Sequence, residues 1–148
     1  MSALKKAQNI SQMDKTVKEK LAQFNSNASS MLKTRIGDTI YLEYLALPED
    51  ALVAGETGFV EYELLTADQR KRRDLETAQA YFILYLAMSG IKKLSIDSVF
   101  LEKATVGEGE LNPADTASTM RLQKLYYDMA ITFCDKYSAT GDLSIIVI

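Results

Sequence analysis

The chain has 148 residues, with 17 Lys and Arg against 20 Asp and Glu for a net charge of −3, and it is 47% apolar and 25% charged. These are globular proportions for a single domain (residues 1–148) that closes roughly 70% of its unfolded surface into a core. One cysteine, Cys134, and no histidine exclude disulfide frameworks, His-containing zinc sites, Ser/His and Cys/His nucleophile pairs and an imidazole pH switch.

In chain order, Lys5 and Lys6 precede no apolar stretch and no small-residue cleavage site, so residues 1–10 read as no secretory signal. From Ser11 the apolar positions Met13, Val17, Leu21, Phe24, Ala28 and Met31 recur at gaps of 4, 4, 3, 4 and 3, the stripe of an amphipathic helix in an N-terminal region of residues 1–33. The low helix propensity of Asn25, Ser26, Asn27, Ser29 and Ser30 predicts a break or fraying before Met31. Gly37 and Asp38 offer a stop and a new start. Ile40, Tyr41, Tyr44, Leu45 and Leu47 then mark a short second helix that Pro48 ends.

Residues 49–65, punctuated by Gly55 and Gly58, read as a loop with a brief extended piece at 59–62. Thr66 caps a long third helix with Leu75, Ala78, Phe82, Leu86 and Ser89 as its inner stripe. Residues 80–88 are its continuous apolar stretch, far short of the ~20 needed to span a bilayer. A helix apolar on every face must be covered on every face, so neighbouring subunits are expected to supply cover.

Residues 95–111 alternate and turn at Gly107 and Gly109, predicting a short hairpin or extended excursion. Asn112 and Pro113 restart helix as N-cap and first residue. Its inner stripe is read as Leu122, Leu125, Met129, Phe133 and Lys136 or Tyr137. The fold class is thus mostly α: a bundle of about four helices with the excursion and an extended apolar tail over residues 138–148.

Four features could carry function. The basic run Arg70, Lys71, Arg72 and Arg73 reads as a face partly neutralised by Asp74 and Glu76 four residues on, available to a subunit or partner. A pI near 5.0 lacks the basic field that DNA binding needs. If the run is a surface, reversing Arg72 and Arg73 to Glu leaves folding intact. Leu143, Ile145, Ile146, Val147 and Ile148 have strong strand preference and are expected to dock on another protein as an added strand or plug, with folding back on their own domain as the alternative. The acidic residues Glu102, Glu108, Glu110 and Asp115 match no EF-hand spacing, and the glycines no phosphate loop, so neither metal nor cofactor is expected. The tyrosines read as core-edge or interface residues, and Cys134 as a small core side chain.

The order of parts carries a resemblance. An apolar helix over residues 74–90 (DLETAQAYFILYLAMSG), a Gly/Glu-containing excursion, and a Tyr-rich helix over 122–137 together resemble the head-to-tail adaptor (head completion, connector) proteins of tailed bacteriophages, across residues 66–137 or about half the chain. The resemblance implies a non-enzymatic virion protein, assembled in the host cytoplasm, whose copies form a ring at the neck. That ring would join the portal protein to tail or stopper proteins, with DNA passing nearby without sequence-specific binding and with no membrane partner. From the residues alone, a helical interaction module of other origin forming a dimer or small oligomer stands as the alternative. A small carboxylate-dependent enzyme and a nucleic-acid module are the remaining classes.

Overall fold

A computed structural model describes residues 2–10, 19–94 and 113–138. Among these the regular elements are five α-helices: α1 (Ser2–Ile10), α2 (Asn25–Ile36), α3 (Asp38–Ala46), α4 (Ala67–Leu94) and α5 (Pro113–Asp135), with short 3-10 turns at Lys20–Phe24 and Tyr62–Leu64. No strand occurs among the described residues. The predicted hairpin at 95–111, the start of the predicted first helix at 11–18 and the tail at 139–148 lie outside them.

The central element is α4. Its start is a reciprocal cap: Gln69 N–H donates to Thr66 Oγ1 (3.2 Å) while Thr66 N–H donates to Gln69 Oε1 (2.9 Å), so two otherwise unpaired amides are satisfied together. At about 1.5 Å per residue its 28 residues run roughly 42 Å, long enough for every other helix to lie against it. Leu75, Ala78, Ala80, Phe82, Ile83, Leu84 and Ala87 are all buried in one cluster with Ala7 of α1, Leu32 and Ile36 of α2, and Ala130 and Cys134 of α5. Much of the apolar surround is therefore covered from within the subunit, while Tyr81, Tyr85, Leu86 and Met88 are half-buried.

α5 runs antiparallel to α4: Asp74 meets Tyr137, Tyr81 meets Phe133 and Tyr126, and Tyr85 meets Tyr127, partner numbers falling as α4 rises. Its buried residues are Tyr126, Ala130 and Cys134, one step round from the expected stripe, and Leu122 and Leu125 face outward. Ala130 and Cys134 are small enough for the two helices to close tightly, and the rings of Tyr81, Tyr126 and Phe133 fill the margins of the seam.

Two N-terminal expectations change. Residues 2–10, read only for a leader, form α1, which buries Ala3, Lys6 and Ala7. The Asn/Ser run, expected to break a helix, begins one. Ala28, Leu32 and Ile36 recur every four residues and are buried, while Gln79 Nε2 donates to Asn25 Oδ1 (2.9 Å) and Ser29 Oγ (3.0 Å). Packing and these bonds outweigh the propensity deficit. Gly37, with φ +89, ends α2 in a conformation that side chains disfavour, and α3 follows at once. Of α3 only Tyr44 is buried.

Candidate functional site

The first half of α4 places Arg72, Arg73, Asp74, Glu76 and Gln79 in the interior, and the elements around it answer each one. Glu76, 0% exposed, accepts from Lys6 Nζ of α1 (2.7 Å), from Arg72 Nε (2.5 Å) and from the Asp50 backbone N–H (3.0 Å). Arg72, 7% exposed, also donates to the Tyr44 carbonyl and stacks over the Tyr44 ring at 4.2 Å. Arg73, 9% exposed, grips Asp50 with two bonds (2.7 and 3.1 Å), donates to the Val60 carbonyl (2.6 Å) and lies 4.4 Å over the Phe59 ring. Planar guanidinium groups suit this fork-and-stack geometry, which an ammonium could not reproduce.

A second carboxylate closes the other side. Asp74 Oδ2 accepts the Tyr62 hydroxyl (2.8 Å) and the Tyr137 hydroxyl (2.6 Å), with Lys136 Nζ at 3.6 Å. Tyr44 donates its hydroxyl to Gln79 Oε1 (2.9 Å). Burial pushes the Tyr44 hydroxyl well above its ordinary range, and burial together with the adjacent Asp74 carboxylate does the same to Tyr137. Burial also pushes Asp50 up, but the hydrogen bonds from Arg73 and Lys6 outweigh it and hold the carboxyl below its usual value. The Cys134 thiol is raised to about 12, chiefly by burial, which leaves it a poor nucleophile.

The predicted basic run is thus divided. Arg70 donates to the Tyr62 and Glu63 carbonyls (3.1 and 2.7 Å), fixing the 3-10 turn, and Lys71 pairs with Glu43 of α3 at 2.5 Å. Arg72 and Arg73 are inside, which corrects the reading of the run as a solvent- or partner-facing surface for these two residues. Only the Arg72–Glu76 pair follows the four-residue spacing; Asp74 turns instead to the tyrosines. Lys6, Asp50 and Tyr44, which sequence reasoning missed, come from three distant segments and share no local pattern with α4. Leu143, Ile145, Ile146, Val147 and Ile148 lie outside the described residues.

A cleft of about 360 Å³ opens beside this cluster, walled by Leu52, Val60, Leu65, Asp68 and Arg73. Arg72, Arg73 and Asp50 of its lining are held in the ion pairs described above, so the arrangement clamps the 47–65 loop and α1 onto α4. Among the described residues no group of three or more acidic or cysteine side chains is placed to hold a metal, and no helix is long and apolar enough to cross a membrane. The large apolar side chains exposed among the described residues include Met120, Leu122 and Leu125 on α5, Leu42 and Leu45 on α3, and Val60 and Leu64 ahead of α4. No family model, curated protein or solved structure matches the chain.

Proposed function

We propose that this chain is a structural subunit that acts by contact, and that its role is that of a ring-forming head-to-tail adaptor joining portal to tail in a tailed bacteriophage. The observation that carries the reading is the outward apolar pair Leu122 and Leu125 on α5, three residues apart and both exposed, on the helix pair whose order bears the adaptor resemblance. Apolar residues gathered on one face favour a protein contact over open water. In a ring, such a face meets a different surface of the next copy and the contacts close on themselves. Polar groups of the interior, by contrast, are spent on holding the subunit together, which suits a rigid building block.

The test is assembly. The purified chain is mixed with isolated portal rings and imaged by negative-stain electron microscopy, and a collar of density on the portal is expected. Replacing Leu122 and Leu125 by Lys should abolish the collar while leaving the melting temperature unchanged. Portal rings that stay bare with the parent chain overturn the reading. A dimer in light scattering that ignores the portal speaks for the helical interaction module of other origin.

A further inference from the structure

Within the loop that joins α3 to α4, residues 49–56 lie across α1 and the first half of α4 and are held there by charge. Asp50 accepts from Arg73 (2.7 and 3.1 Å) and lies 3.1 Å from Lys6 Nζ, which also donates to the Asp50 carbonyl (2.6 Å). Lys5 of α1 donates to the Ala51 carbonyl (2.9 Å) and pairs with Glu56 (2.7 Å), and Glu49 lies 3.8 Å from Arg72. This strap carries three carboxylates and no cation. Against it stand Lys5, Lys6, Arg72 and Arg73, of which Lys6 and Arg72 share the carboxylate of Glu76.

Apolar packing adds little to the hold. None of residues 49–56 is buried. Two clefts run beside the strap, one of about 360 Å³ toward the start of α4 and one of about 180 Å³ toward α1, and Asp50, Leu52 and Arg73 line both. The strap also keeps its own shape: Val53 N–H donates to Glu56 Oε1 (2.7 Å), and Gly55 turns the chain with φ +97. A segment shaped internally, flanked by clefts and tied down by carboxylates can lift as a unit. The cations it uncovers then face water instead of staying buried.

We propose that Lys5, Lys6, Arg72 and Arg73 form a seat for an extended acidic segment of another protein, and that residues 49–56 are its internal occupant, displaced when that partner docks. The present occupant defines the chemistry. Arg73 forks onto a carboxylate, a geometry that suits Asp or Glu. Lys5 and Lys6 also take the main-chain carbonyls of residues 51 and 50, acceptors that a peptide has and a nucleic acid lacks. The seat is separate from the outward leucines of α5 and does not depend on ring assembly.

The experiment is fluorescence anisotropy with the full chain and a labelled peptide of residues 47–58 (LPEDALVAGETG). The parent chain should bind it weakly, because the tethered strap competes at an effective concentration on the order of millimolar. Glu56→Gln loosens the strap by removing the Lys5 ion pair, which is partly exposed, so the far-UV circular dichroism spectrum should stay unchanged. This variant should bind the peptide several-fold more tightly than the parent. A peptide carrying Glu49→Gln, Asp50→Asn and Glu56→Gln should lose that gain. No binding by the folded variant, an affinity equal to that of the parent, or equal binding of the neutralised peptide overturns the proposal. A duplex DNA oligonucleotide that displaces the label at lower concentration than unlabelled peptide assigns the seat to phosphate and overturns it too.

Discussion

The two halves of α4 invite comparison, since both are buried yet are composed of opposite kinds of residue. Residues 72–79 bring charged and amide groups into the interior and pair each with a partner from α1, α2, α3, the 47–65 loop or the turn that follows α5. Residues 80–87 bring in Ala80, Phe82, Ile83, Leu84 and Ala87, which need only close neighbours. The first half specifies which segments dock and in what register, because a displaced partner leaves a buried charge uncompensated. The second half supplies non-directional burial. A cluster of ion pairs is weak as net stabilisation but unforgiving when broken, whereas an apolar cluster loses energy in proportion to the atoms removed.

The largest expected effect follows from breaking the first half. Arg72→Glu combined with Arg73→Glu sets new carboxylates against Glu76 and Asp50 in the interior, and disrupting a buried pair costs about 3–5 kcal/mol each time. The folded state should be lost, with circular dichroism reporting unfolded chain at room temperature. A melting temperature near that of the parent would mean that the arginines are not interior. In the second half, Phe82→Ala should cost about 3–5 kcal/mol in chemical denaturation yet leave a cooperative transition, because it opens a cavity without stranding a charge.

Acid should then separate the halves without mutation. Asp50 is held below its unfolded value, so its contribution is present above that value, near 3.9, and is lost as pH falls through the lower folded pKa. Thermal melts should therefore weaken as pH drops below about 4, and Asp50→Asn should flatten that part of the profile. The smallest effect belongs outside both halves: Lys124 and Asp128 form an exposed pair on α5, and Lys124→Ala should alter stability by less than about 0.5 kcal/mol in the same denaturation assay.

Several boundaries were legible because they depend on local chemistry. Thr66 with Gln69 closes a cap within one turn, Gly37 adopts φ +89 where α2 ends, and α5 begins at Pro113, a residue suited to a first helical position. The Leu75, Ala78 and Phe82 stripe is also inside, since spacing alone puts these residues on one face. α1 was hidden because its buried face carries Lys6, a residue that reads as solvated until Glu76 and Asp50 arrive from elsewhere in the chain. α5 has apolar residues on two faces, and its inward face is chosen by the fit of Ala130 and Cys134 against α4 rather than by hydrophobicity.

By itself, then, the amino-acid order determined that this is a mostly helical chain without the histidines and paired cysteines of much familiar site chemistry, where α3, α4 and α5 begin, and that Leu75, Ala78 and Phe82 are core. Those properties arise from backbone preferences and periodicity within a few turns. Only the tertiary structure decided that Arg72 and Arg73 are interior, that α1, α2 and α5 of the same chain pack on α4, and that Leu122, Leu125, Leu42 and Leu45 face outward. Each of these depends on which partner reaches a side chain across tens of residues of sequence, and a buried charge or an outward leucine is defined by that partner alone.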